Sequence, residues 1–372
     1  MGFSSDPRVA VWEREAARSA AGKLPPNVDD PPRRHHYVPQ MYLRRFASRP
    51  LVTTGKKANK QKAKARIRMV EARLGPSSGR TVGVADAAVE TDFYTVDAAD
   101  PRRAQEAEHI IGVVEQAAGY AFAHFDNSRD YFPDAVDREN LALFMALQFV
   151  RGPETGEFLT RMYTDVMRMM TRMSATQPDY IRSHLAERGE DSSDEAVARF
   201  AAMLEKGAGT LTVAPHRNDT VKTILESSHE LVRYFFMRKW AVVRSRVPFL
   251  TSDRPIVLHE RRDPHRPWEG SGLMTADMIL FAIDRRRALV MQHPLPEHRE
   301  GVVDISDEFV HDINHAIANG ARRWLFHHPD DDPLDSLPFN PNPEPAPVPP
   351  SARQPPTERA AGTVDAQTEP DT

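Results

Sequence analysis

The order in which hydrophobic periodicity changes along the chain constrains its fold more than any single motif does. "ARIRMVEARL" (Ala65–Leu74) alternates apolar and polar residues, as a half-buried strand does. "TVGVADAAVETDFYTV" (Thr81–Val96) holds one or two further short strands. From about residue 104 to 238 the spacing turns helical. It covers Gln105–Phe125, Asp137–Met173 with a break near Gly152-Pro153, Asp179–Arg188, Asp194–Lys206 and Asp219–Arg238. Alternation returns in Lys239–Ser245, Pro248–His259, Met278–Arg286 and Ala288–His293, and the "DRRRA" between the last two reads as a hairpin turn. A final helix is expected over Ser306–Trp324. Strands, then helices, then strands predict an α+β fold. In it, N- and C-terminal strands join in one antiparallel or mixed sheet, and the helical block packs on that sheet.

The ends read differently. Residues 1–32 form an expected flexible arm, with a short helix around Val11–Ala21 followed by the proline-rich tether "KLPPNVDDPP". From Pro329 onward the chain has 12 of its 31 prolines, nine acidic residues and two basic ones. Such a segment buries too little apolar surface to offset its ordering entropy, so 329–372 is expected to be a disordered tail that could serve as a protein-interaction segment. Residues 33–328 remain as a single domain. Removing the tail leaves 47 basic against 44 acidic residues, so charge alone does not nominate nucleic acid as a partner. Absence of cysteine excludes disulfides, thiolate ligands and cysteine nucleophiles. No apolar run reaches the ~20 residues that span a bilayer. The start of the chain lacks the basic, then apolar pattern of a secretion signal. No membrane association and a cytoplasmic location are expected.

Four constellations are candidates for chemistry. In "RRHHYVPQMYLRRF" (Arg33–Phe46), Pro39 suits the start of a short helix, Pro39–Ala47, entered through His35 and His36. A neutral imidazole can act as base or metal ligand. Gln40 and Arg44 share a helix face, and a guanidinium can fork onto phosphate or carboxylate, whereas Arg45 reads as a solvent-facing salt-bridge partner. In the second, Gln148 and Arg151 lie three apart in an apolar helix, and each needs a partner or a cavity. The third is Thr251-Ser252-Asp253, which interrupts an apolar strand ahead of Pro255. Its structural reading is a tight turn, and its functional reading makes Asp253 a metal ligand or the partner that orients a histidine. The fourth lies in the last helix, where His311 and His315 lack the glutamate of a zinc-protease motif and Asn314 is placed to bond the opening loop. Val166, Met169, Met170 and Met173 form a helical stripe read as adaptable core or an interface. Seven basic residues in Lys56–Arg68, with no aromatic among them, read as a solvated loop.

His35-His36-Tyr37-Val38-Pro39-Gln40, with Tyr42-Leu43-Arg44 and Phe46, resembles the hallmark of a bacterial family known only as domain of unknown function 4238. Its Gln-x-x-Arg helix, SD-x-P strand break and Asn-bearing last helix are similar to Gln148 and Arg151, Ser252-Asp253-Arg254-Pro255, and Asn314. The resemblance implies that these polar residues form one site, and it implies no activity. Three functions fit the residues. A hydrolase of phosphorylated or nucleic-acid substrates would use His35, His36 and Asp253, with or without a divalent metal, and bind substrate through Gln40, Arg44, Gln148, Arg151, Ser252 and Asn314. A binding module would hold an anionic ligand, nucleic acid or a protein partner with the same groups. A structural lock would tie the helices to the sheet.

Overall fold

A computed structural model describes residues 4–23, 34–48, 65–91, 93, 105–259, 272–335 and 337. The basic loop 49–64, the tether 24–33 and the tail beyond 337 lie outside the described residues. The fold is α+β. Helices are α1 (Pro7–Ala20), α2 (Gln40–Leu43), α3 (Glu106–Asn127), α4 (Ala135–Val150), α5 (Pro153–Ala175), α6 (Pro178–Glu187), α7 (Asp194–Thr210), α8 (Arg217–Phe236) and α9 (Asp307–Gly320). Strands are β1 (Arg34–His36), β2 (Arg66–Glu71), β3 (Arg80–Gly83), β4 (Val89–Thr91), β5 (Lys239–Arg244), β6 (Thr251–Ser252), β7 (Ile256–His259), β8 (Met278–Asp284), β9 (Arg287–Gln292), β10 (Gly301–Asp304) and β11 (Trp324–His327). Among the described residues, no helix is long and apolar enough to cross a membrane.

The strands divide among three sheets rather than the single sheet expected. One is antiparallel, in the order β3-β2-β11-β6, and it does join N- and C-terminal strands. The second runs β10-β5-β9-β8-β7, with only β10–β5 parallel. The third is the pair β1–β4. The physical reason lies at Ser252–Pro255. β6 belongs to one sheet and β7 to the other, so the stretch predicted as one interrupted strand is where the chain changes sheets. Proline cannot donate to a ladder, and Pro255 marks the crossing.

The last helix also ends earlier than expected. Asp253 receives the backbone N–H groups of Arg322, Arg323 and Trp324 at 2.9, 2.8 and 3.0 Å. Those donors are thereby drawn out of helical pairing, and Trp324 opens β11. Gly320 ends α9 against Val257, whose side chain would lie 3.4 Å from an added Cβ. The break at Gly152-Pro153 is as predicted. Gly152 caps α5 and Pro153 fills its first turn, where a missing N–H costs nothing.

Within the stretch expected as a flexible arm, Pro7–Ala20 is a docked helix. Val11 packs with Val113 and Ala117 of α3. Trp12 Nε1 donates to Asn140 Oδ1 at 2.8 Å, and Arg8 reaches Asp134 at 2.6 Å and the fully buried Asp137 at 3.2 Å. Asp137 also accepts from the Tyr131 hydroxyl and faces His124 Nδ1 at 2.5 Å. One large core unites the sheets with α2, α3, α4, α8 and α9. At its centre Tyr42 stacks on Phe281 at 5.1 Å, beside Phe46, Phe122 and Phe144. α6 and α7 share a separate small core built on Ile181, Leu185, Ala196 and Val197, and α5 packs on both helices.

Candidate functional site

β1 pairs with β4 so that His35 faces Glu90 and His36 faces Val89. Strand alternation sends His35 inward and leaves its neighbour half-buried. His36 Nε2 lies 3.1 Å from the Ala85 carbonyl, to which it can only donate. Nδ1 is then the acceptor, 3.4 Å from the Gln40 amide nitrogen. Gln40 Oε1 in turn accepts from Arg44 Nη2 at 2.6 Å. Burial pushes the His36 pKa down, the Ala85 carbonyl opposes that, and the charges of Arg34, Arg151 and Arg44 reinforce it. Burial also lowers Arg44, whose Nε has no hydrogen-bond partner among the described residues.

Arg151, at the end of α4, is deeply buried. It donates to the His36 carbonyl at 2.5 Å and to Glu115 of α3 at 2.8 Å. Two turns earlier on α3, burial raises the Glu108 carboxyl, while the charges of His35 and Arg151 pull it down. The structure therefore gathers His35, His36, Gln40, Arg44 and Arg151, and adds Glu108 and Glu115. Gln148 is 4% exposed, and both of its amide atoms are buried without a partner among the described residues.

The remaining expected residues sit elsewhere and are tied to backbone. The Ser252 hydroxyl donates to the Arg254 carbonyl at 2.8 Å and accepts from its N–H at 3.1 Å, closing a turn. Asp253 is buried beneath the three N–H donors at the start of β11. Burial pushes its carboxyl up to about 6, against the pull of those donors. Asn314 does not reach the opening loop. It accepts from Leu250 N at 3.1 Å and donates to the Pro248 carbonyl at 2.9 Å, clamping α9 to the segment before β6. Among the described residues, no group of three or more His, Asp or Glu side chains is placed to hold a metal ion.

Arg45 corrects its sequence reading. At 8% exposure it is buried, not solvent-facing. Its guanidinium donates to the Ile283 carbonyl at 2.8 Å and to Asp126 at 3.0 and 3.2 Å, approaches Asp284 at 3.4 Å, and lies over the Phe122 ring. Tyr42 OH, one turn away, donates to the Ala282 carbonyl at 2.7 Å. Together the two side chains fasten α2 and the 3-10 turn that follows it, Arg44–Phe46, to β8.

Asp126 and Asp284 also line a cleft of about 720 Å³ that sequence reasoning missed. Its other charged walls are Arg129, Arg244, Arg246, Arg285, Arg286 and Arg287. Three of these arginines are neutralised. Arg244 binds Asp304 and Asp130, Arg285 binds Asp331 at 2.5 Å, and Arg287 binds Asp284 at 2.6 Å. The guanidinium groups of Arg129, Arg246 and Arg286 have no carboxylate partner among the described residues, Arg286 meeting Asp284 only through its backbone N–H at 2.7 Å, and Arg286 Nη1 is buried without any hydrogen bond. The sequence signal was "DRRRA". It is the predicted hairpin turn between β8 and β9, and it also places three adjacent guanidinium groups at one sheet end.

A family model described as a protein of unknown function (DUF4238) matches residues 34–331, most of the chain. No curated protein and no solved structure matches the chain.

Proposed function

The chain belongs to the DUF4238 family, and from that premise we propose that it binds a small, multiply anionic ligand, a phosphorylated compound above all, in the arginine cleft. The observation that carries this is the convergence of Arg129, Arg246 and Arg286, uncommitted to any carboxylate, on one 720 Å³ concavity. Guanidinium forks match phosphate oxygens in charge and geometry, and each charge-assisted bond is stronger than a neutral one. The opening motif supports the cleft from behind, because Arg45 holds the two aspartates that line it.

Binding is favoured over hydrolysis at the opening motif by the state of the expected catalytic groups. Both His36 ring nitrogens face partners, the Ser252 hydroxyl closes a turn, and Asp253 caps β11. Titration calorimetry of the full chain with inorganic pyrophosphate is the test. The expected result is saturable binding that weakens as salt rises. Arg246→Ala with Arg286→Ala should weaken it at least tenfold, the loss of about 1.4 kcal/mol or more, with unchanged melting. Absence of saturable heat, or binding indifferent to the double variant, overturns the proposal. Orthophosphate release in the same sample would turn the binding site into a hydrolytic one.

A further inference from the structure

Helix α5 is amphipathic, and its larger apolar stripe is turned away from the protein. Its inward side holds Leu159 and polar groups tied to backbone: Thr164 exchanges hydrogen bonds with the Val213 backbone at 3.0 and 3.1 Å, and Arg168 Nε donates to the Leu211 carbonyl at 2.9 Å. Its apolar side faces solvent. Phe158, Met162, Val166, Met169, Met170 and Met173 fall within a ~120° arc at the helical period of 3.6 residues, and Phe158, Met169 and Met173 are 57%, 56% and 55% exposed. The stripe predicted as core or interface is therefore not core.

We infer that this stripe is the self-complementary interface of an antiparallel homodimer, α5 against α5 of a second copy. Met162, Val166, Met169 and Met173 follow 4-3-4 spacing, the seam of a two-helix coiled coil. Asp165 and Arg172 flank that seam one heptad apart on the same side. In an antiparallel pair with Val166 opposite the partner's Met169, same-flank positions meet across the two-fold axis. Asp165 then faces the partner's Arg172, and the pairing occurs twice. A parallel pair would set Asp165 against the partner's Met170. Neither Asp165 nor Arg172 has a hydrogen-bond or ion-pair partner within the chain among the described residues, although Asp165 and Arg172 are both exposed.

Area agrees with charge. With about half of each stripe side chain open, and Tyr163 exposed beside them, the surface offers several hundred Å² per partner, approaching the roughly 600–1,000 Å² per partner of specific interfaces.

Sedimentation equilibrium of the full chain at roughly 1–100 μM, a range that includes the weak end of affinities for interfaces of this size, tests the inference. The wild type should sediment as a dimer. Val166→Asp with Met169→Asp should sediment as a monomer with unchanged circular dichroism. Asp165→Arg alone and Arg172→Asp alone should each weaken association at least tenfold, and the two together should restore it. A wild-type monomer throughout, a dimer indifferent to the stripe variants, or single reversals no worse than the double overturns the inference. So does a monomer that floats with anionic vesicles, which would assign the stripe to lipid.

Discussion

The sheet-bearing body and the outer lobe of α5, α6 and α7 solve the same packing problem in opposite ways. In the body, apolar side chains point inward and the buried polar ones are tied almost one by one to backbone. Tyr42 holds Ala282, Arg45 holds Ile283, Arg151 holds His36, Asp253 holds β11 and Asn314 holds Pro248 and Leu250. In the lobe, α5 docks through threonine and arginine and turns its methionines outward. A body of the first kind specifies one structure, because an unmade hydrogen bond costs more than a made one returns. A lobe of the second kind leaves its hydrophobic contribution for another molecule.

Arg45→Met should produce the largest loss in the body. Removing this buried cation strands the Ile283 carbonyl and leaves Asp284 with Arg287 as its remaining cationic partner, at a cost of about 3–4 kcal/mol read from urea denaturation. A loss under ~1 kcal/mol would mean that the tie is dispensable. Asn314→Leu should cost about 2–3 kcal/mol, because it strands the buried Leu250 N–H and the half-buried Pro248 C=O.

His36→Gln probes the opening motif through pH. Burial lowers the His36 pKa below its ordinary value. The unfolded chain then takes up the proton first, so this contribution is present above pH ~6.5 and is lost as pH falls toward the depressed folded value. The melting advantage of wild type over His36→Gln should shrink between pH 7.5 and 5.5, a window set by the ordinary histidine value of about 6.5. An advantage that grows on acidification would reverse the sign and contradict a buried neutral ring.

Gln148→Met should leave stability unchanged or raise it by up to ~1 kcal/mol, since two buried unpaired amide atoms disappear. A drop of more than ~1 kcal/mol would show that the amide has a partner. In the lobe, Met169→Ala should move stability by no more than ~0.5 kcal/mol at concentrations where the chain is monomeric. A loss on the scale of a core truncation would place Met169 in the body's class and erase the contrast.

Periodicity made the body legible, and the ends of its elements less so. The central helices, the Gly152-Pro153 break and the β8–β9 turn follow from local spacing and from proline's missing donor. The start of β11 does not, because Asp253 lies 71 positions from the Trp324 N–H that it captures. Nor does the division into sheets, which depends on which strand each edge finds. Among the candidate site residues, the His35–Arg151 grouping was readable as a set of polar residues needing partners. The burial of Arg45 was not, since an arginine beside a second arginine carries no sign of which one turns inward. The cleft was hidden for the same reason. Its arginines come from 129, 244, 246 and 285–287, and only the fold makes them neighbours.

The most direct measurement compares pyrophosphate titrations of three proteins: wild type, Arg246→Ala with Arg286→Ala, and His36→Ala. The account predicts that the cleft variant melts like wild type and binds at least tenfold more weakly, while His36→Ala melts lower and binds like wild type below its melting temperature. Binding lost in His36→Ala and kept in the cleft variant would contradict it, and would move the site from the arginine cleft to the double histidine.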